Sequence, residues 1–541
     1  MKKFIPAMLI IFFACFMLFV YEPFILYANN INDFWFDFAI LLKPILILFG
    51  SAFLVGIVLF GIVYFINKKF SKDLKVYNIL LILAFIAFFS TYIQGNYLVG
   101  NLPSLDGREI LWNSYKIDSI ISILVWVVVG IIFLISSIKI KLEKTIRYAT
   151  YVSIAVFAML SVSLLSTVCT KNVFMKKSYE YLTNENINTI SKNKNFFIFL
   201  VDAVDSATFN RVLEENEEYK EIFKDFTYYP DTTSVYPFTR DSIPLILTGK
   251  INKNEREFSD YSTDAYNNSS LFQQLEEKEY QLNLYEEDLI WNGTRNFKIN
   301  NIISDKNPKI DIELFIRQEL KYILFKYLPY PLKKYSKIEY MNFNLCVDKF
   351  RGENVELFTT MKENPILEKE EGNVFHFIHT NGAHVPYMYD KNLNFISQEN
   401  GTYEQNVEAT ITLTKAYLER LKENEGYENS VIIIMADHGF DKEYENNLKR
   451  FNPLLLIKGE EENHDFIKSD IPITYFDLEN AYTALLNGKK STDLFKDIDK
   501  NRTRKMLWYK FTKEDHMVEY ETEGTATDIS KFKKTGNVYD R

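Results

Sequence analysis

Hydrophobic positions in this chain fall into two regimes. Up to about residue 170 they form unbroken blocks, roughly 4–28, 38–66, 77–99, 118–138 and 148–169. Each block has about 20 residues or more with few charges, the length that crosses a hydrocarbon layer roughly 30 Å thick. A buried helix of a soluble protein rarely stays apolar on every side for so long, so five transmembrane helices are predicted. The first block is longer than a secretory h-region and lacks a clear small-residue cleavage site, so it is read as retained.

Beyond residue 170 the pattern changes. Residues 171–195 are polar and rich in Asn and Lys, which reads as a linker. Short apolar runs follow: Phe196–Val201, Phe375–Ile378, Val431–Met435 and Leu454–Ile457. They are continuous rather than alternating, as strands buried on both faces are. Between the second and third, Val407, Ile411, Leu413, Ala416, Leu418 and Leu421 give segment 404–424 one apolar helical face. Strand and helix in alternation predict an α/β domain with a mostly parallel sheet sandwiched by helices. Segment 251–370 carries few motifs and predicts helices and long loops, including an amphipathic helix near 310–328. Met506–Phe511 and Met517–Tyr520 predict two antiparallel strands, and 531–541 a frayed tail. The expected organisation is therefore a transmembrane domain over 1–170, a linker over 171–195, a catalytic domain over 196–530 and a tail over 531–541.

Charge orients the helices. Lys2 and Lys3, then Lys68, Lys69, Lys72 and Lys75, then Lys139, Lys141, Lys144 and Arg147 mark alternate loops. The intervening ones carry Glu22, Asp33 and Asp37, or the mixed set Asp106, Arg108, Glu109, Lys116 and Asp118. Basic loops stay cytoplasmic, so an odd number of spans places everything after residue 170 outside the cell membrane. The net charge of −9, with no compensating basic block, excludes a nucleic-acid partner. Cys15 and Cys169 fall within or at the end of spans, leaving Cys346 alone in the soluble part, where no internal disulfide can form.

Candidate chemistry sits at the ends of the apolar runs. Asp202 follows the first, His379 the second, and Asp437-His438 the third. Open α/β sheets bind ligands beyond the carboxyl ends of their strands. His384 lies five residues after His379 with Gly382 between, a spacing that suits a loop. Taken singly, Asp202 could cap a helix, Asp437-His438-Gly439 could be a turn, and His376 reads as a core histidine. Together they assemble carboxylates and imidazoles, the ligand types of a divalent metal.

The combination resembles the alkaline phosphatase/sulfatase superfamily, and within it the membrane-bound phosphoethanolamine transferases and lipoteichoic acid synthases. Those proteins have five spans followed by an extracytoplasmic sulfatase-like domain. In the transferases a nucleophilic Thr lies five residues before the Pro of a Ser-Val-Pro element; Ser242-Ile243-Pro244 puts Thr239 there. The sulfatase nucleophile precedes a Thr-Gly pair by nine residues, and Thr248-Gly249 returns Thr239 again. The family's first acidic ligand matches Asp202, its Asp-His pair matches Asp437 and His438, and its His-x-x-x-x-His element matches His379 and His384. Stretch 473–488 resembles a helix near the end of sulfatase-type domains.

The resemblance implies that Asp202, Thr239, Asp437 and His438 hold a divalent ion, Zn2+ or Mn2+. It further implies that Thr239 attacks phosphorus and that His379 and His384 bind the substrate. The expected reaction moves a phospho-alcohol group, phosphoglycerol or phosphoethanolamine, from a membrane phospholipid to a glycan, teichoic polymer or lipid acceptor at the cell surface. A phospho-threonine is the expected intermediate. The alternatives are a sulfatase-like hydrolase, acting on phosphodiesters or sulfuric esters, and a non-catalytic membrane-anchored binding module. True sulfatases build formylglycine from Cys or Ser in a Cys/Ser-x-Pro-x-Arg context, which Thr239-Arg240-Asp241 does not provide. The chain also lacks the family's further histidine shortly after Asp-His-Gly; none occurs before His464, and Lys449 or Arg450 is expected to supply positive charge instead.

Overall fold

The computed structural model describes every residue except 1–2, 32, 71–73, 101, 103–109, 111, 175–179, 287–294, 304–308, 337, 339, 397–399, 425, 441–447, 510–515 and 541. Lys2, Lys72, Asp106, Arg108, Glu109 and Phe511, named above, lie outside the described residues. The chain divides into two compact units: Met1–Tyr179 with Ser304–Asp348, and Glu180–Ile303 with Lys349–Arg541.

In the first unit, Ile5–Asn29, Phe38–Phe70, Lys75–Tyr97, Trp112–Lys139 and Leu142–Thr170 are helices long and apolar enough to cross a membrane. Leu46 (67% exposed), Phe65 (70%), Leu134 (60%) and Ile138 (74%) point away from the protein. Water tolerates no such continuous apolar surface, whereas lipid tails solvate it. The expected helix near 310–328 forms as Ile312–Tyr327, started by the Asp311 carboxylate accepting the Leu314 N–H.

That helix groups with the apolar helices rather than with the α/β domain. Glu22 explains why. Expected in a loop, it is a fully buried helical residue whose carboxylate accepts from Lys326 Nζ at 2.6 Å and the Tyr327 hydroxyl at 2.5 Å. A carboxylate buried among apolar helices needs charged partners, and the distant segment supplies them. Gly95 gives the Tyr327 ring its place, since a Cβ there would lie 2.2 Å from it. Glu22→Ala is expected to destabilise this unit by about 1–3 kcal/mol, because a half-buried ammonium and the Tyr327 hydroxyl lose their acceptor. The readout is a lower unfolding temperature in detergent with faster proteolysis of 309–348. An unchanged melting curve would show that the pair contributes nothing.

The second unit is built on a seven-stranded sheet. Its strands in chain order are β1 (Asn195–Val201), β2 (Thr227–Tyr228), β3 (Tyr280–Tyr285), β4 (Asn373–Thr380), β5 (Ser430–Met435), β6 (Leu455–Lys458) and β7 (Ile467–Lys468). Their order across the sheet is β7-β2-β6-β5-β1-β4-β3. The block β5-β1-β4-β3 is parallel, and β6 runs antiparallel to both β5 and β2. Phe196, Ile198 and Leu200 of β1 enter one core, Phe197, Phe199 and Val201 the other. Covering on both faces is why these runs read as continuously apolar. The helices that matter for the site are α1 (Ser206–Glu215), α2 (Thr239–Thr248) and α3 (Tyr403–Glu423). A Thr402/Gln405 capping box opens α3.

Two segments depart from expectation. The polar stretch before β1 contributes strands Tyr181–Leu182 and Thr189–Ser191, which pair with 302–303 and 367–369. The tail forms strand Lys533–Tyr539, antiparallel to Met517–Thr522, which itself pairs with Arg504–Trp508. Pairing with distant strands orders both, a cause that local composition does not carry.

Candidate functional site

Parallel register levels the strand ends. Leu200 pairs with Met435 on one side of β1 and with His379 on the other, so Asp202 and Asp437 each stand two residues past a matched pair. One ligand atom from each of Asp202, Asp437 and His438 can be chosen so that all three lie within 4.8 Å of one another, and all three residues are buried. His438 Nε2 is 3.3 Å from Asp437 Oδ2 and 3.9 Å from Asp202 Oδ1. Both of these oxygens are buried without a hydrogen-bond partner among the described residues. Orphaned buried carboxylate oxygens are costly unless a cation satisfies them, and an O,O,N donor set suits a divalent metal ion. Burial holds His438 below the ordinary imidazole value, against the charge of Asp437, which favours the neutral ring, the form able to ligate a metal.

The surroundings fix these groups. The other oxygen of Asp437 accepts the Ala203 N–H at 3.2 Å, with Ala203 in the left-handed region at φ 59°. The Tyr403 hydroxyl, from α3, sits 2.8 Å from the Ala203 carbonyl and 2.7 Å from the Asp205 carboxylate, and it accepts the Asp205 N–H. Asp205 in turn caps α1. Gly382 adopts φ 50°, and a Cβ there would lie 2.4 Å from the Asp202 backbone. Asn354 clamps Gly382 through both its N–H and its carbonyl. His379 thus sits within β4 and His384 on the loop after it, and that loop is tied to the first acidic residue by the Ala383 N–H donating to the Asp202 carbonyl at 2.9 Å.

His379 lies between two carboxylates. Its Nδ1 is 2.8 Å from Glu286 Oε1, and its Nε2 is 3.7 Å from Asp202 Oδ2. Burial opposes a charge on His379, but Glu286 and Asp202 outweigh it and raise the imidazole well above its usual value. Burial likewise opposes ionised Asp202, yet the hydrogen bond from His379 and the imidazoles around it hold its carboxyl well below the usual range. His384 itself is exposed, with Nδ1 turned to the Val385 carbonyl at 2.7 Å.

Thr239 is the first residue of α2 and is half-buried; its hydroxyl has no hydrogen-bond partner among the described residues. The first N–H groups of a helix lack intrahelical acceptors, so an anion formed at Thr239 meets the positive end of the helix dipole. Its neighbour Phe238 has its ring 6.4 Å from that of His438. Over Phe238 lies the buried Arg450 guanidinium, 4.5 Å from the ring centre, with Nη2 3.3 Å from His438 Nε2. Of the two expected cations, Arg450 is thus beside the centre while Lys449 is exposed.

Glu286 escapes the motif-based reading. It follows β3 as Asp202 follows β1, so the strand-end argument applied to Tyr280–Tyr285 would have found it. Glu286→Gln is expected to lower activity about tenfold, since a partner that orients a site imidazole typically carries that much. Without the carboxylate charge the His379 pKa falls toward its ordinary value, so the alkaline limb of the pH–rate profile moves to lower pH. An unshifted profile would assign Glu286 a packing role alone.

The Sulfatase family model matches residues 194–464, half of the chain. No curated protein matches in sequence. Among solved structures, the lipoteichoic acid synthase LtaP from Listeria monocytogenes aligns at 12% identity and TM-score 0.35, covering 62% of this chain and 85% of that one. The C-terminal periplasmic domain of EcEptC from Escherichia coli aligns at 10% and 0.33, covering 63% and 92%. An alkaline phosphatase superfamily protein from Vibrio parahaemolyticus aligns at 14% and 0.39, covering 67% and 85%.

Proposed function

Because this chain belongs to the sulfatase family, we propose that it transfers a phospho-alcohol group, phosphoglycerol or phosphoethanolamine, from a membrane phospholipid to a cell-surface acceptor. The observation that carries this reading is the buried Asp202, Asp437 and His438 cluster with its two orphaned carboxylate oxygens. Asp202, Asp437 and His438, with Thr239 as a fourth ligand, would hold one divalent ion. When bound, such an ion supplies Lewis acidity and eases loss of a hydroxyl proton.

The residues then act as follows. Thr239 Oγ attacks the phosphorus of the lipid headgroup; a P–Oγ bond forms, the bond from phosphorus to the lipid oxygen breaks, and diacylglycerol leaves with a proton. The α2 N-terminus and Arg450 balance charge on the phosphoryl oxygens. His379, kept protonated between Glu286 and Asp202, and the exposed His384 bind the headgroup phosphate or protonate the leaving oxygen. An acceptor hydroxyl completes the cycle by displacing Thr239 from phosphorus.

Five apolar helices support a donor drawn from the bilayer, and Lys68, Lys69, Lys139, Lys141, Lys144 and Arg147 at alternate helix ends support an extracytoplasmic catalytic unit. Threonine at position 239 argues against formylglycine chemistry. The test is peptide mass spectrometry after incubation with phosphatidylglycerol or phosphatidylethanolamine. The increment on the peptide containing Thr239 names the transferred group, and a bare peptide after productive turnover would remove the covalent intermediate.

A further inference from the structure

We propose that the cavity next to Thr239, beyond Phe238 from the metal-ligating residues, is the acceptor subsite, and that it takes a polyhydroxylated acceptor, a sugar or polyol. The inference rests on the transfer reading above. Phe238 links the two places: its ring lies 6.4 Å from the His438 ring on one side and 5.2 Å from the Tyr509 ring on the other. Tyr509 lines a cavity of about 360 Å3 whose wall also includes Arg240 and Asp241, the two residues immediately after Thr239. That volume is in the range of small-molecule sites, about 300–1,000 Å3.

Wall chemistry selects the ligand. Asp241 is buried and accepts a short hydrogen bond from the Tyr509 hydroxyl. Arg240 stacks 4.1 Å over the Phe258 ring and, among the described residues, has no hydrogen-bond or ion-pair partner. Glu255 and Glu257 on the facing loop are exposed, with no side-chain hydrogen bond or ion pair among those residues. Arg256 is already held by Asp264 at 3.1 Å. Among the described residues the wall thus sets Arg240 and Arg256 against Glu255 and Glu257, with Asp241 beneath. Phe258 and Tyr509 add aromatic faces beside these charges, a mixture that suits a ring or chain bearing hydroxyls better than an acyl chain. Hydroxyls fit, because each both donates and accepts.

In the second half-reaction a hydroxyl oxygen of the bound acceptor attacks phosphorus of phospho-Thr239. The new P–O bond forms as P–Oγ breaks, and the acceptor proton passes to Thr239 Oγ, regenerating the hydroxyl. An acceptor held at Arg240 and Asp241, the residues that follow Thr239 in α2, extends its reacting hydroxyl past Phe238 to phosphorus and there competes with water at high local concentration.

The full chain in detergent, with fluorescent phosphatidylglycerol and phosphatidylethanolamine as donors and methyl glucoside and glycerol as acceptors, tests this. The readout is the ratio of transfer product to hydrolysed headgroup. Arg240→Ala and the exposed Glu257→Gln are each expected to lower that ratio about tenfold, the worth of a charge-assisted hydrogen bond. An unchanged ratio in both overturns the subsite. Binding is measured separately by saturation-transfer NMR with methyl glucoside. Signal lost in Arg240→Ala supports the proposal; signal retained there, absent in the wild type, or replaced by binding of inorganic phosphate alone overturns it. If the wild type consumes neither lipid, the transfer reading fails on its own, while the NMR arm still decides whether the cavity binds hydroxyls.

Discussion

Thr239→Ala is expected to reduce lipid turnover by roughly 10^4-fold or more while leaving the fold intact. The size follows from its assigned role: a nucleophile that forms a covalent intermediate has no substitute once its oxygen is gone. Two features of the residue keep the experiment clean. Its hydroxyl makes no hydrogen bond among the described residues, so its loss orphans none of them. It occupies the first turn of α2, where alanine is an acceptable helix residue and the unfolding temperature should stay within the shift of about 1 kcal/mol or less. Thr239→Ser keeps the oxygen and should keep a measurable fraction of the activity. If Thr239 only starts a helix, alanine and serine behave alike and turnover survives in both. Full activity of the alanine variant removes the mechanism, whatever the metal content.

What could be read from residues and what could not divides along a physical line. Runs such as Phe196–Val201 and Val431–Met435 carry their own signal, since a strand covered on both faces must be apolar throughout, and they appear as β1 and β5. The residues just past them, Asp202 and Asp437-His438, were legible by the same logic, because charge at the end of a buried strand has no packing purpose. Glu286 has the same origin and was missed because β3, with Gln281 and Asn283 inside it, is less uniformly apolar. The partner of Glu22 was illegible for another reason: Lys326 and Tyr327 lie about three hundred positions away, and no local pattern announces such a pairing. Lys533–Tyr539 is a similar case, a largely polar strand held by pairing with 517–522 and by Asn537 and Tyr539 bonding to Glu519.

Asp437→Asn is expected to abolish metal binding, and with it activity, without weakening the metal-free protein. In that state Asp202 and Asp437 bring two carboxylates within 4.8 Å in a buried site. His379 compensates Asp202, but the imidazole beside Asp437, His438, is held below its ordinary pKa and offers Asp437 no counter-charge. Two like charges at such range disfavour each other, and removing one relieves the repulsion while the amide preserves shape and the acceptor for the Ala203 N–H. The metal-free variant should therefore melt at or above the temperature of the metal-free wild type. Adding Zn2+ or Mn2+ separates them. A ligand at a thousand times its Kd stabilises the form it binds by about 4 kcal/mol, several degrees for a domain of this size, and only the wild type gains this. A chelator should reverse the gain and silence turnover together. If Asp437-His438 were merely a turn at a strand end, the signs would invert: asparagine would lower the melting temperature of the metal-free protein, and neither metal nor chelator would shift either chain. Opposite directions in one calorimetric experiment decide between a centre that awaits a cation and a turn that does not.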